Sequence, residues 1–540
     1  MPLPHLRSTL TIFGIALVLG SPVLAQDDPL APGGDVFGQP RAAGQPGGGV
    51  GFGGPGGDVF GQPPGGGAGG GGTATTREEL QQQLDEIRNE AKSLADQKDW
   101  EGAIAQYNQA LQLSRQDVDS FLGLADIYRE LRFQDLETTN LRSAASALAA
   151  ERKPTGDVYF RLGQLYAKQT QYRQAIEFFT ACLRENPTNP TFIYEYGLAQ
   201  ANQGYNSTYG AAARESLQTA IESFTQAIRL KQDYADAYFE RGNALLRLNN
   251  LDDSIDDLEK AATLAPDRME IVGRVGFARL QRAGAETLRQ DGKQLQINQD
   301  YQRAIDTLSA FLAVAKAESK KSDPPEVRGQ ETKDDRNKIP KENAFVARAM
   351  ASIGLADEQA DDSAELYSKA IEDCSAALKI DPTLTLALLQ RGIAQRMRGM
   401  FDEAVESFTD AIQSDARDQQ SVASAMLRRG IVRFHRGEMA LATTDFETLY
   451  GATRDPHAGF WLGLTQAQEG KHAEAILSYN RVLQDQPDYV IAYLNRGISQ
   501  LKVGRYARAV EDFNQVLLHD RQHPQANSYR ALALNQLSRK

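Results

Sequence analysis

Small residues recur along most of the chain at a spacing close to 34 residues. Each unit starts with Gly or Ala. Most units have a small residue twelve positions later and an aromatic residue or Leu at position sixteen. Several units end with Pro at position twenty-four. The leading small residues are Ala91, Ala125, Gly163, Gly197, Gly242, Gly276, Ala349, Gly392, Gly430, Gly463 and Gly497. A period of this length predicts a repeat architecture over most of the chain.

Two of the units carry the pattern most fully. They read "DVYFRLGQLYAKQTQYRQAIEFFTACLRENP" (157–187) and "ADAYFERGNALLRLNNLDDSIDDLEKAATLAP" (235–266). Both resemble the consensus of the tetratricopeptide repeat (TPR) family. The resemblance implies an all-α fold in which each repeat is a pair of antiparallel helices. Eleven pairs and a C-terminal capping helix (524–540) would stack into an α-solenoid with a right-handed superhelical twist.

The composition divides the chain into five parts. Glycine is frequent before Thr76, and helix-forming residues are frequent after it. The predicted parts are a signal peptide (1–25), a disordered Gly/Pro-rich tether (26–76), repeats 1–6 (77–315), a charged insertion (316–342), and repeats 7–11 with the capping helix (343–540).

The N-terminus has the features of a secretory signal peptide. An apolar run at residues 9–20 is too short to span a bilayer comfortably, and "VLA" at 23–25 offers small residues at a cleavage position. We therefore expect cleavage after Ala25 and a periplasmic or secreted protein without a stable membrane span. The alternative is an uncleaved segment that anchors the chain to a membrane.

The glycine-rich segment contains one octapeptide twice. "GGDVFGQP" occupies residues 33–40 and again 56–63. A segment with so few apolar residues cannot bury enough surface to offset its ordering entropy, which predicts a flexible tether. The duplication is either a repeated spacer or a pair of short Val-Phe motifs that dock on a partner or on the protein's own groove.

Charge, cysteines and motifs argue against catalysis and against several partner classes. The net charge of −12 disfavours nucleic acid and anionic lipid as main partners. Cys182 and Cys374 are far apart and are expected to be buried thiols. His519 and His523 lie on either side of a predicted helix end, so a metal site is not expected there. No nucleophile elbow, P-loop or HExxH motif occurs, and we predict a protein that is not an enzyme and has no cofactor or metal.

Five repeats have Arg immediately before the leading small residue. These are Arg241, Arg348, Arg391, Arg429 and Arg496. In the same repeats, the residue before the aromatic position of the second helix is Asp257, Asp373, Ser407, Asp445 and Asp512, respectively. We predict structural Arg–Asp ion pairs within the four repeats that have both residues, because a partly buried charge is costly unless it is paired. The alternative is a coincidence between solvated helix faces.

The first helices of TPR proteins line a concave groove that binds peptides or helices. The resemblance implies that residues three before and one after each small residue face this groove. The candidates are Phe160, Tyr194, Leu198, Phe239, Asn243, Leu389, Ile393, Leu427, Ile431, Phe460, Leu464, Leu494 and Ile498. They form either an apolar groove for a partner segment or a row buried by close stacking of the first helices. Some members of the family bind chaperone C-termini with a two-carboxylate clamp, a set of basic and Asn residues on consecutive first helices. Of that set, only Asn243 has a counterpart in this sequence.

The sequence therefore predicts an exported, non-enzymatic scaffold that binds partner proteins or peptides along the TPR groove. The alternative is a cell-envelope assembly or accessory factor that recruits a catalytic partner. Neither the partner nor the oligomeric state is indicated by the sequence.

Overall fold

The structure is a computed structural model that describes residues 77–207, 210–289, 294–319, 339–359, 363–414 and 418–539. The predicted signal peptide, the tether and both copies of the octapeptide lie outside the described residues, as does most of the charged insertion. The described residues divide into two compact units, 77–195 and 196–539.

In its described residues, the first unit consists of three helix pairs and the start of a further helix. The helices are α1 (Arg77–Asp96), α2 (Trp100–Leu113), α3 (Val118–Glu130), α4 (Gln134–Ala150), α5 (Gly156–Lys168), α6 (Tyr172–Glu185) and the beginning of α7 (Pro190–Asn206). Helices α1 and α2, α3 and α4, and α5 and α6 pack against each other as pairs.

The second unit continues the same alternation of helices. It contains the rest of α7 and then α8 (Ala211–Leu230), α9 (Ala235–Arg247), α10 (Leu251–Leu264), α11 (Met269–Arg289), α12 (Gln294–Ser319), α13 (Lys341–Glu358), α14 (Ser363–Ile380), α15 (Thr385–Met397), α16 (Phe401–Gln413), α17 (Gln419–His435), α18 (Met439–Thr453), α19 (Pro456–Gln468), α20 (His472–Asp485), α21 (Val490–Lys502), α22 (Tyr506–His519) and α23 (Pro524–Ser538). The 23 helices of the described residues confirm the predicted α-solenoid of eleven helix pairs and a C-terminal helix.

Each leading glycine lies where the first helix meets a large side chain of the second. A Cβ atom on Gly163 would lie 2.6 Å from Cε1 of Phe179, which is fully buried. The same distance separates a Cβ on Gly392 from Phe408 Cε1. This contact explains why eight repeats have glycine at the leading position, since a side chain there would collide with the ring or Leu side chain that fills the pair.

Most first helices end at a residue in the left-handed conformation, seven positions after the small residue. Glycine takes this position in four repeats, and Lys, Arg, Thr or Asn takes it in four others. The residues are Lys98, Arg132, Thr170, Asn249, Gly399, Gly437, Gly470 and Gly504, with φ between 61° and 82°. A left-handed residue ends an α-helix and turns the chain back toward the second helix.

The repeats with inserted residues do not have this stop, and their helices are longer. α11 has 21 residues and α12 has 26, whereas α9 has 13 and α10 has 14. The inserted residues of this repeat therefore lengthen its helices.

A carboxylate at the end of α6 caps the start of α5. Thr155 N donates to Glu185 Oε1 at 3.0 Å, and Gly156 N donates to Glu185 Oε2 at 2.7 Å. Burial alone would raise the pKa of Glu185, but the hydrogen bonds from Thr155 and Gly156 lower it below the ordinary value. The interaction satisfies two helix N-terminal donors and ties the two helices of the pair together.

Candidate partner-binding surface

The structure brings together the four predicted Arg and Asp partners as two-point contacts. The Nε and Nη2 atoms of Arg241 lie 2.7 Å and 2.7 Å from the two Asp257 oxygens. The other three contacts have the same form, at 2.8 and 2.6 Å for Arg348–Asp373, 3.1 and 2.7 Å for Arg429–Asp445, and 2.9 and 2.6 Å for Arg496–Asp512. All four carboxylates are buried.

The fifth arginine, Arg391, is held by a hydroxyl group instead of an aspartate. Its Nε donates to Ser407 Oγ at 2.9 Å, and its nearest carboxylate oxygen is Asp410 Oδ2 at 3.6 Å. This repeat therefore keeps the position of the contact but not its charge.

Each paired arginine also reaches back to the preceding repeat. Arg241 Nη1 donates to Thr225 Oγ1 at 3.0 Å, and Arg496 Nη1 donates to Asn480 Oδ1 at 2.7 Å. Ser309 and Thr409 accept the corresponding bonds from the other two arginines. The arginine thus links three helices, whereas the sequence predicted a link between only two. The sequence feature that could have revealed this third helix is a Thr, Ser or Asn directly after the large residue in the second helix of the preceding repeat.

Burial raises the pKa of Asp257, Asp373 and Asp512 above the ordinary range, and the hydrogen bonds from their arginine partners oppose that rise. The carboxylates thus lose much of their hydration in the folded protein. The hydrogen bonds from the arginines offset part of the cost of burying the carboxylates, which is a structural role.

The groove prediction needs correction at seven positions, where the side chains are buried. These are Phe239, Leu389, Ile393, Leu427, Ile431, Phe460 and Leu494, each less than 9% exposed. They fill the space between neighbouring helices because the first helices stack closely, and they do not line an open surface. Half-buried side chains occur at the other six positions, which are Phe160, Tyr194, Leu198, Asn243, Leu464 and Ile498.

A polar cluster lies on three consecutive first helices of the second unit. Tyr205 of α7, Glu240 of α9 and Arg274 of α11 are close enough for their charges to interact. Burial raises the pKa of Tyr205 and Glu240 raises it further, whereas Arg274 and Arg247 oppose the rise. Burial lowers the pKa of Arg274, against the influence of Tyr205 and Glu240.

Three atoms on these helices are buried without a hydrogen-bond partner among the described residues. They are Tyr205 Oη, Arg274 Nε and Gln281 Oε1. Native proteins seldom leave such groups unsatisfied, and the usual partners are ordered water or a ligand. The described part of the cluster therefore contains donors and an acceptor that are not yet satisfied.

A second group of charges occupies the first helices further along the same unit. Burial lowers the pKa of Arg428 in α17 to about 9; Arg396 of α15 lowers it further, and Asp357 of α13 opposes the change. Burial also lowers the pKa of His435, again together with Arg396. Neither polar group was predicted. The signal for both was an Arg two residues before the leading small residue, at Arg274 and Arg428.

Comparison with known families adds to this geometry. Profiles described as "TPR repeat" match residues 91–131, 212–249 and 463–504, and profiles described as "Tetratricopeptide repeat" match residues 156–189, 235–268, 389–456 and 494–540. The chain belongs to the tetratricopeptide repeat family. The second and seventh repeats, which match the consensus least well, are helix pairs like the rest.

One curated relative of this TPR protein is the DnaJ homolog subfamily C member 7 homolog of Dictyostelium discoideum, 25% identical over 160 residues. That match covers 29% of this chain and 28% of the relative. Among solved structures, YrrB, described as a TPR protein with an unusual peptide-binding site, is 20% identical over 36% of this chain and 96% of its own, with a TM-score of 0.31. The C-terminal part of a TPR protein from Cytophaga hutchinsonii is 16% identical over 56% of this chain and 98% of its own, with a TM-score of 0.39.

Cys182, Cys374 and His523 have structural positions. Cys182 and Cys374 are buried free thiols, and burial raises the pKa of Cys182 to about 12. His523 Nδ1 accepts a hydrogen bond from Ala526 N at 3.3 Å and so caps α23. Within the described ranges, no group of His, Cys, Asp or Glu side chains could hold a metal ion. No described helix has both the length and the apolar character needed to cross a bilayer.

Proposed function

We propose that this TPR protein is a scaffold without catalytic activity that holds partner proteins or peptides on the first helices of its second unit. The observation that carries the proposal is the cluster of Tyr205, Glu240 and Arg274 with its unsatisfied buried atoms. A TPR fold supports protein binding in general, and this cluster supports a position for it.

The chemistry of the cluster suits a peptide segment. Tyr205 Oη and Arg274 Nε can donate to carbonyl or carboxylate oxygens, and Gln281 Oε1 can accept from an N–H group. A segment that supplies both kinds of group would satisfy atoms that are costly to leave unpaired. Half-buried Leu198 and Asn243 on the same helices would contact its side chains.

Loss of the Tyr205 hydroxyl or the Arg274 guanidinium is expected to weaken partner retention about tenfold, since one hydrogen bond to a charged group contributes on the order of 1.5–3 kcal/mol. The measurement is quantitative mass spectrometry of proteins retained from the native envelope by the immobilised chain and its Tyr205→Phe and Arg274→Gln variants. Tyr205→Phe removes only an oxygen that has no hydrogen-bond partner among the described residues, so it should leave the fold intact.

Arg229→Gln is the matched control, because Arg229 lies exposed on α8. A set of partners retained equally by wild type and Arg229→Gln, but lost from both site variants, would support the proposal. Equal retention by all four proteins would contradict it.

We also propose that the protein is exported, with residues 1–25 as a cleaved signal peptide and 26–76 as a tether. The apolar run at 9–20 and the small residues at 23–25 support this proposal. The mature chain isolated from its native cell is expected to begin at Gln26, which intact mass and N-terminal sequencing will test. A chain that retains Met1 and fractionates with membranes would favour the anchored alternative.

A further inference from the structure

The last helix, α23, has the register of a first helix. It follows α21 at the repeat spacing of 34 residues, so that Arg530 corresponds to Arg496 and Ala531 to Gly497. Leu534 corresponds to Gln500 in the same way. The helix therefore presents the face that, in every complete repeat, receives a second helix.

In the preceding repeat, α22 covers this face. A Cβ on Gly497 would lie 2.7 Å from Phe513 Cε1, Asp512 binds Arg496, and Gln500 is only 5% exposed. The corresponding face of α23 is uncovered among the described residues. Leu534 is 47% exposed.

Arg530 already has the arrangement of a paired arginine. Its Nη1 donates to Asn514 Oδ1 at 3.2 Å, as Arg496 Nη1 donates to Asn480 Oδ1. Its Nη2, the atom with which Arg496 binds Asp512, has only a 3.4 Å contact to Asn527 Oδ1. Arg530 forms no ion pair with any described carboxylate, so the guanidinium is positioned but lacks the aspartate of the repeat pattern.

The surroundings of this face are both apolar and basic. Leu537 is 44% exposed and lines a cavity of about 510 Å³ together with Arg505, Tyr506 and Arg508 at the start of α22. An apolar surface with three nearby arginines complements an acidic amphipathic helix. A second copy of the same face would bring these arginines against their equivalents, which disfavours self-association through α23.

We propose that the open face of α23 binds an amphipathic helix of another protein, one that has an aspartate immediately before a large apolar residue. The aspartate would bind Arg530 as Asp512 binds Arg496, and the apolar residue would cover Ala531 as Phe513 covers Gly497. The site is separate from the proposed cluster on α7, α9 and α11, and variants at one site should leave the other unchanged.

The test uses a labelled peptide with the sequence of α22, "YARAVEDFNQVLLH", as the probe and the full chain as the receptor. Fluorescence anisotropy is expected to show saturable binding that weakens about tenfold when the peptide has Asp512→Asn or the protein has Arg530→Gln. Combining both changes should cause little further loss, because they remove the same contact. Leu534→Ser should weaken binding through the apolar surface.

Arg521→Gln is the control variant, because Arg521 is exposed in the turn before α23, and circular dichroism will show that all variants remain folded. The proposal is overturned if the peptide does not saturate, if both peptides bind equally well, or if Arg530→Gln has no effect. The last result would mean that the peptide exchanges with α22 in its own repeat. Self-association of the full chain that Arg530→Gln abolishes would also overturn it, because a second copy would then occupy the face.

Discussion

Replacement of Asp445 by alanine is expected to lower the free energy of unfolding by about 3–5 kcal/mol, the usual effect of breaking a buried ion pair from one side. Asp445 is 3% exposed, and its carboxylate accepts hydrogen bonds from Arg429 and Arg433. Both guanidinium groups are largely buried, with side chains 13% and 15% exposed. The variant would leave two poorly hydrated cations without their shared counter-charge.

Ser407 provides the matched control, because it holds Arg391 in the same register without a charge. Ser407→Ala removes two hydrogen bonds, one accepted from Arg391 Nε and one donated to Gln395 Oε1, each worth about 0.5–1.5 kcal/mol. Urea denaturation of both variants will give the comparison, with hydrogen exchange of α17 and α18 as a local measure, since repeat arrays need not unfold in one step. A loss for Asp445→Ala no larger than that for Ser407→Ala would show that the carboxylate is solvated enough to be dispensable.

The helix pairs could be predicted from the sequence because a close approach of backbones demands a small residue. Gly163 and Phe179 show the reason, since the ring of one fills the space that the missing side chain of the other leaves. This constraint is local to one pair and recurs with the repeat. The period of small residues therefore reports the packing directly.

The ends of the first helices were harder to predict, although glycine marks four of the eight left-handed stops. Gly399 and Gly504 mark the left-handed stop, but Lys98 and Thr170 adopt the same conformation in other repeats. A non-glycine residue can be held in this conformation when the helices on either side fix the turn. Sequence alone does not show that the position is equivalent.

The repeat pattern did not predict which side chains of the first helices are buried and which form the polar cluster. The pattern fixes which face of a first helix points toward its neighbours, but not how closely those neighbours approach. Leu389 and Leu427 therefore lie buried, while Tyr205 and Arg274, outside the repeat consensus, form a half-buried polar cluster whose unsatisfied atoms are enclosed. The distance between successive repeats depends on many contacts together, so it cannot be predicted from the residue at any single position.

Substitution of Gly430 by alanine is expected to destabilise the protein by about 1–3 kcal/mol, the usual cost of overpacking a core. A Cβ on Gly430 would lie 2.6 Å from Cε1 of Phe446, and that ring is fully buried. The ring cannot move without disturbing the helices around it, because protein interiors are closely packed. The cost therefore exceeds the gain in helix propensity that alanine brings.

Gly451→Ala isolates that gain, because Gly451 lies in α18 of the same repeat and an added Cβ there has no atom within 4 Å. This variant is expected to raise stability by about 0.5–1 kcal/mol through helix propensity alone. The same chemical change should thus have opposite signs at two positions of one repeat, as measured by urea denaturation. Two shifts of the same sign would mean that the approach of α17 to Phe446 is not what requires glycine. Steric exclusion by the buried ring would then fail to explain why a small residue recurs in every repeat.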